Sequence, residues 1–185
     1  MEFPIENYQT YRWFYTSSKK LVIGGKSAQQ NDEILHKLKK QNQDYLVMHT
    51  STPGSPFSVI LSPINSLTKS DIEETAIFTG CFSRAWRDCK KKAQIHIFKL
   101  SQIYKFPKMK TGTWGVKPPV QKKIIQLELV LTKQKGKLRA VPELSVTKKQ
   151  ILLKIRPGKL DKSQSLPKLQ IELSRQLNQE ELLSA

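Results

Sequence analysis

The sequence predicts an α+β fold: a mostly antiparallel sheet with two principal helices and a C-terminal strand-helix extension. Three observations carry this. Short runs of alternating or β-branched residues recur along the chain, several separated only by tight polar or Pro/Gly turns. Two longer segments, opening at Ser27 and Ser70, place apolar residues at helical spacing. Hydrophobic residues make up 38% of 185 residues, which suits one globular domain with a heavily charged surface. No apolar run approaches the ~20 residues of a membrane span.

Tyr11, Trp13 and Tyr15 alternate with Arg12, Phe14 and Thr16, a pattern suited to a pleated strand. Ser17-Ser18-Lys19-Lys20 turns the chain, and Leu21-Val22-Ile23 returns. Gly24-Gly25 then leads to Ser27, which with Gln30 forms a capping box and opens the first helix. Ile34, Leu35 and Leu38 lie on one face of that helix. Asp44–His49 is a strand with Tyr45, Val47 and His49 on one face and Leu46 and Met48 on the other. Pro53-Gly54-Ser55-Pro56 turns it into the strand Phe57–Leu61.

Ser70, with Glu73 closing its box, starts a second helix that is expected to reach Lys92 and to be largely buried. Cys81 and Cys89 would sit on it about two turns apart, roughly 12 Å, which is too far for a disulfide and fits a reducing cytoplasm. Ile95 and Ile97 and, after a break, Leu100 and Ile103 suggest further strand, Ile124–Thr132 is another, and Lys133–Lys137 makes a basic hairpin loop before Leu138–Val141. Ile151–Ile155 is a last strand and Pro167–Asn178 a closing helix. The expected division is a domain over 1–123 and a basic strand-helix extension over 124–185 packed on it. The opening residues MEFPIENYQT are acidic and lack a signal-peptide pattern.

Charge is the sharper functional signal. The net charge is +17, yet residues 87–162 hold 21 Lys and Arg against four acidic residues, and the remainder balances. Solubility alone would scatter such charge, whereas concentration calls for a polyanionic partner. The cations are spread over loops and strands rather than along one amphipathic helix, which favours nucleic acid over an acidic lipid surface. From Tyr104 to Lys117, Tyr104, Phe106 and Trp114 interleave with lysines. Lysines can track phosphates while rings stack on unpaired bases. Tyr104 and Trp114 read equally as core aromatics. Gly24-Gly25-Lys26 before a helix start allows a phosphate to approach the backbone, or is simply a tight turn closed by its own cap. Its spacing matches neither a Walker loop nor a Rossmann fingerprint. His36, His49 and His96 stand apart from the cysteines, so no zinc spacing arises, and His49 reads as a structural sheet residue. No cofactor is expected.

Five blocks in order resemble the NFACT-R RNA-binding domain of NEMF/RqcH-type ribosome quality-control factors: YRWFYTSSKKLVIGGKSAQQNDEIL, DYLVMH, Pro53-Gly54-Ser55-Pro56, AIFTGCFSRAW and TGTWGVK. The likeness spans Tyr11 to Pro119, with a weaker echo at Ile155-Arg156-Pro157-Gly158. Thr50-Ser51-Thr52 stand where the family has an acidic residue, and Leu61 where it often has a basic one. The resemblance implies a stand-alone module, similar to archaeal ones, that binds tRNA or large-subunit rRNA, with the large ribosomal subunit as the expected partner; the residues themselves offer no paired carboxylates, activated nucleophile or metal cluster, so no enzyme is expected. The rival classes are an RNA-acting enzyme and a protein-interaction scaffold. Candidate RNA-binding residues are Lys26 beside the glycines and Arg87, Lys90, Lys91 and Lys92 at the end of the second helix. Lys105, Lys108, Lys110, Trp114 and Lys117 in the interleaved segment join them, with Lys122 and Lys123 just beyond.

Overall fold

The computed structural model describes residues 5–159, 167 and 169–175. The fold is α+β. Six antiparallel strands form the main sheet: β1 (Arg12–Tyr15), β2 (Leu21–Gly24), β3 (Leu46–Thr50), β4 (Ser58–Ile60), β5 (Lys92–Lys99) and β8 (Gln121–Gln126), in the order β1-β2-β4-β3-β5-β8. Helix α1 (Ala28–Lys39) covers one face and α2 (Lys69–Cys81) the other. The short β6 (Ile103–Tyr104) and β7 (Gly115–Val116) pair with each other on the α1 side. Strands β9 (Leu129–Gln134), β10 (Lys137–Val141) and β11 (Leu153–Ile155) make a small sheet on the α2 side.

Alternation divides the core as the sequence anticipates. In the β1–β2 hairpin Trp13 pairs with Ile23 and Phe14 with Val22. Trp13 and Ile23 join Ile34, Leu35, Leu38, Val47 and Val59 beneath α1, whereas Phe14 and Val22 join Met48, Ile60 and Phe78 beneath α2. A sheet buried on both faces needs apolar residues at consecutive positions, which β2 and β4 supply. Ile95 and Ile97 of β5 lie under α2, and Phe98 lies under α1.

Four expectations are corrected. Helix α2 is capped by Thr68 with Asp71, not Ser70 with Glu73: Thr68 Oγ1 accepts from the Asp71 amide and Asp71 Oδ2 accepts from the Thr68 amide at 2.8 Å. The helix stops at Cys81, and a separate turn, α3 (Arg84–Arg87), follows. Ser83 makes the break, its hydroxyl donating to Gly80 O at 2.6 Å and accepting from the Ala85 amide, so it competes with the helix ladder. Cys89 takes a left-handed φ of 55°, so the two free cysteines fall in different elements and Lys92 already belongs to β5. The expected strand Ile124–Thr132 is two strands, β8 and β9, that pair in different sheets around a corner at Leu127-Glu128. The Lys133–Lys137 loop narrows to Lys135-Gly136, both left-handed. Of the closing helix, residues 167 and 169–175 are helical, and the rest of 167–178 lies outside the described residues.

Two carboxylates without solvent exposure fasten the hairpin to α2. Asp71 accepts from Thr16 Oγ1 at 2.7 Å, Ser18 Oγ at 2.5 Å and Lys20 Nζ at 2.9 Å, in addition to its capping bonds. Glu74 accepts from the Ser17 amide at 2.9 Å and hydroxyl at 2.6 Å, and from Ser70 Oγ at 2.8 Å. Burial alone would push the Asp71 carboxyl up. The hydroxyls of Ser18 and Thr16, the Thr68 amide and Lys20 outweigh it and hold the group well below the usual carboxylate range. A folded-state pKa below the unfolded value of about 3.9 stabilises the fold above that pH and loses the contribution as pH falls towards the folded value. Asp71→Ala is expected to cost about 3 to 5 kcal/mol, because Lys20 and the hairpin hydroxyls lose a buried partner. Urea unfolding at neutral pH measures this, and the gap between variant and parent should shrink steadily below about pH 4.

Candidate nucleic-acid interface

The β2–α1 junction folds as its glycines and cap residues dictate. Ser27 is extended and caps α1, its Oγ accepting from the Gln30 amide at 3.2 Å. Gln30 Oε1 reaches back to the Lys26 amide at 2.9 Å, one residue earlier than in a standard box. Lys26 is thereby left outside the turn, exposed.

This junction forms one wall of a cleft of about 720 Å³ at the end of the main sheet. Five other segments complete it: β1 at Arg12, the end of β3 with the β3–β4 loop, the α2–α3 break with Arg84 and Arg87, β5 at His96 and Phe98, and residues 111–116. Two glycines let these segments meet. Gly54, at φ 106°, accepts from the Arg84 amide through its carbonyl at 2.9 Å, and a Cβ there would lie 2.5 Å from Arg84 Cδ. Gly112, at φ 76°, rests on Ala28 in the first turn of α1, where a Cβ would come within 2.7 Å of the alanine methyl. Neither position accepts a larger side chain without moving a wall.

The lining carries Arg12, Lys26, Arg84 and Arg87, together with His49 and His96, and contains no acidic residue. Arg12 is held from both sides, Nη1 donating to Gly25 O at 2.6 Å with the guanidinium 5.3 Å over the Phe82 ring. Lys26 and Arg84 have no carboxylate within ion-pair distance among the described residues, while Arg87 makes a 3.5 Å surface pair with Asp88. His49 shares its Nδ1 with Thr50 O at 2.7 Å and packs 4.5 Å from the Phe57 ring. Burial pushes the His49 imidazole down, and burial with Lys122 does the same for His96, so both are neutral at pH 7.

Register extends the cleft onto the sheet. His49, His96 and Lys122 are directly opposed across β3, β5 and β8, so they share one face. Further along that face come the pairs Gln94 with Ile124 and Lys92 with Gln126, and Ile124 is 66% exposed. The result is an open sheet surface with lysines at both ends, running into the cleft.

The sequence-derived candidates therefore separate. Lys26, Arg87 and Trp114 line the cleft, and Lys92 and Lys122 stand on the adjoining sheet face. Lys90, Lys108, Lys110 and Lys117 are exposed elsewhere on the surface. Lys91 borders a different, more apolar groove beside Leu127 and Leu144. Three candidates are occupied within the fold. Lys123 points to the α2 face and pairs with Glu73. Lys105 Nζ lies 2.7 Å from Asp32 Oδ2 and 5.3 Å over the Trp114 ring. Trp114 is only 9% exposed, donates Nε1–H to Asp32 Oδ1 at 2.7 Å and packs against His36. Burial raises the Asp32 carboxyl, but bonds from Lys105, the Gly112 amide and Trp114 bring it below its ordinary value. Trp114, Lys105 and Asp32 thus clasp the 105–116 segment to α1. The sequence reading missed Arg12, Arg84 and His96. Arg12 interrupts an otherwise aromatic strand, and Arg84 stands inside the quoted block AIFTGCFSRAW; both signals were present.

Trp114→Ala is expected to destabilise the protein by about 3 to 5 kcal/mol through the cavity and the orphaned Asp32. Thermal melting checks it, and Asp32→Asn should lower the melting temperature as well.

Among curated proteins the chain matches an archaeal Rqc2 homolog, aRqcH, of Methanocaldococcus jannaschii, with 34% identity over 80 residues. That alignment covers 43% of this chain and 12% of the relative, so the chain spans a small part of the relative's length. The C-terminal structure of the fibronectin/fibrinogen-binding protein from Streptococcus suis superposes with a TM-score of 0.52 over 63% of this chain and 44% of that one, at 20% identity, which shows a shared fold. The family described as NFACT protein RNA binding domain matches residues 10–118, the span that builds strands β1–β5 of the main sheet, the β6–β7 pair and every wall of the cleft. The chain belongs to that family of RNA-binding domains.

Proposed function

We propose that the chain serves ribosome-associated quality control as a non-catalytic RNA-binding module, with tRNA or large-subunit rRNA as its ligand and the cytoplasm as its place of action. The observation that carries this is a cleft lined by four cationic side chains and no acid, continuous with a sheet face bearing Lys92 and Lys122. Family membership supplies the ligand class, and the likeness to aRqcH supplies the setting. Among the described residues no group of three or more His, Cys, Asp or Glu is placed to hold a metal ion, and no helix is long and apolar enough to cross a membrane. The site reading is that Lys26, Arg12, Arg84, Arg87, Lys92 and Lys122 take the phosphates. Lys90, Lys108, Lys110 and Lys117 form a looser outer shell. The basic extension over 124–185 adds long-range attraction.

Counterion release gives the test. Affinity for tRNA or an rRNA fragment, measured by filter binding, should fall steeply as salt rises. Lys92→Gln with Lys122→Gln should lower the slope of log affinity against log salt by about 1.4 to 1.8, the contribution of two phosphate contacts. Lys123→Gln, which removes a partner of Glu73, should change the slope far less. A salt-insensitive affinity would show a protein-interaction scaffold instead, and RNA cleaved or modified on incubation with divalent metal would show an enzyme. Crosslinking followed by sequencing of the bound RNA separates tRNA from rRNA.

A further inference from the structure

Resting on the RNA-binding reading, we infer that the cleft receives a single unpaired nucleotide with its phosphate, so that the protein reads a strand end or an extruded base rather than a duplex. Three features point to this ligand. The cleft, at about 720 Å³, is far larger than a bare phosphate requires and falls in the range of small-molecule sites. Its walls are of two kinds: Phe57, Phe98 and the prolines of the β3–β4 loop are apolar, while Lys26, Arg84 and Arg87 are cationic at the rim. A ligand matching both must be part aromatic and part anionic. The third feature is the sheet face at its mouth, where Lys122 and, further along, Lys92 would carry the phosphates that run on from the inserted unit.

The planar groups fit the same ligand. His96 is half-buried and neutral, and the Arg84 guanidinium lies along the Gly54 turn without a carboxylate partner among the described residues. Unpaired bases stack on such rings and guanidinium planes, whereas a duplex keeps its bases stacked on one another and offers only backbone and groove edges. Trp114 takes no part as a platform, because its face is already covered by His36 and Lys105.

The test compares a short single-stranded RNA with a blunt duplex carrying the same number of phosphates, by fluorescence anisotropy on the full chain. The single strand should bind tighter by about ten-fold or more, as expected for a stacked base. A nucleoside 5′-monophosphate should compete with the single strand and leave duplex binding unchanged. Arg84→Gln should bring the ratio of the two affinities close to one. Arg84→Lys, which keeps the charge but not the plane, should preserve the salt slope and still reduce the ratio. Unchanged melting temperatures confirm that both variants fold. Equal affinities for strand and duplex, or a ratio untouched by both substitutions, would overturn the assignment while leaving RNA binding intact. A monophosphate that binds without displacing the single strand would assign the cleft to free nucleotides and also overturn it. Failure to bind either RNA would remove the RNA-binding reading itself.

Discussion

The anchoring of the β1–β2 turn by Asp71 and Glu74 is the constraint from which the rest of the structure follows. A carboxylate taken out of water is costly unless its oxygens are fully engaged, and here the engagement comes from residues far away in sequence. Thr16, Ser17, Ser18 and Lys20 can satisfy these groups only if the hairpin lies over the start of α2. That placement fixes β2, and β2 delivers Gly24 and Gly25 to the end of the sheet, where α1 begins. It also sets Arg12, through its strand register opposite Gly24, at the base of the cleft. The position of the candidate interface is thus an indirect result of a polar network on the other side of the hairpin.

The same economy shapes the electrostatics. Four acidic residues of the first half are engaged within the fold: Asp71 and Glu74 by the hairpin, Asp32 by Trp114 and Lys105, Glu73 by Lys123. Each is paired with a structural role, so the field around the cleft is dominated by cations. Lysines that complete these pairs are withdrawn from the surface count, which is why abundance in the sequence overstates how many face a ligand. A charge run identifies the sort of partner; only the fold identifies which charges remain for it.

Much of the architecture could be read from residue order alone. The hairpin, the Ser27 cap and the two-faced strand at Val47 and Met48 rest on local periodicity, and those were legible. What local pattern could not show was a change of partner. Ile125, Leu127, Leu129 and Leu131 keep a perfect alternation although the chain leaves one sheet for another between them, since alternation records burial and not the neighbour that provides it. Likewise the apolar run into Trp86 continues past the helix end, because Ser83 acts through a single hydroxyl. For the site, the concentration of charge and Lys26 were visible. Arg12 and Arg84 stood in view as cations in apolar surroundings, but each gains meaning only when six segments meet.

Arg12 itself bears on the ordering that accepting a ligand requires. Its guanidinium is tied to the Gly25 carbonyl and roofed on Phe82, and the loops beside it are locked by Gly54 against Arg84 and Gly112 against Ala28. Immobilising a long side chain on binding ordinarily costs about 0.5 to 1.5 kcal/mol, and here that ordering is complete before any ligand arrives. Lys26, by contrast, is exposed and has no carboxylate partner among the described residues. The cleft therefore combines an arginine already fixed within and an exposed lysine at its rim, so the proposed RNA ligand would meet one cation ordered in advance and one still to be ordered.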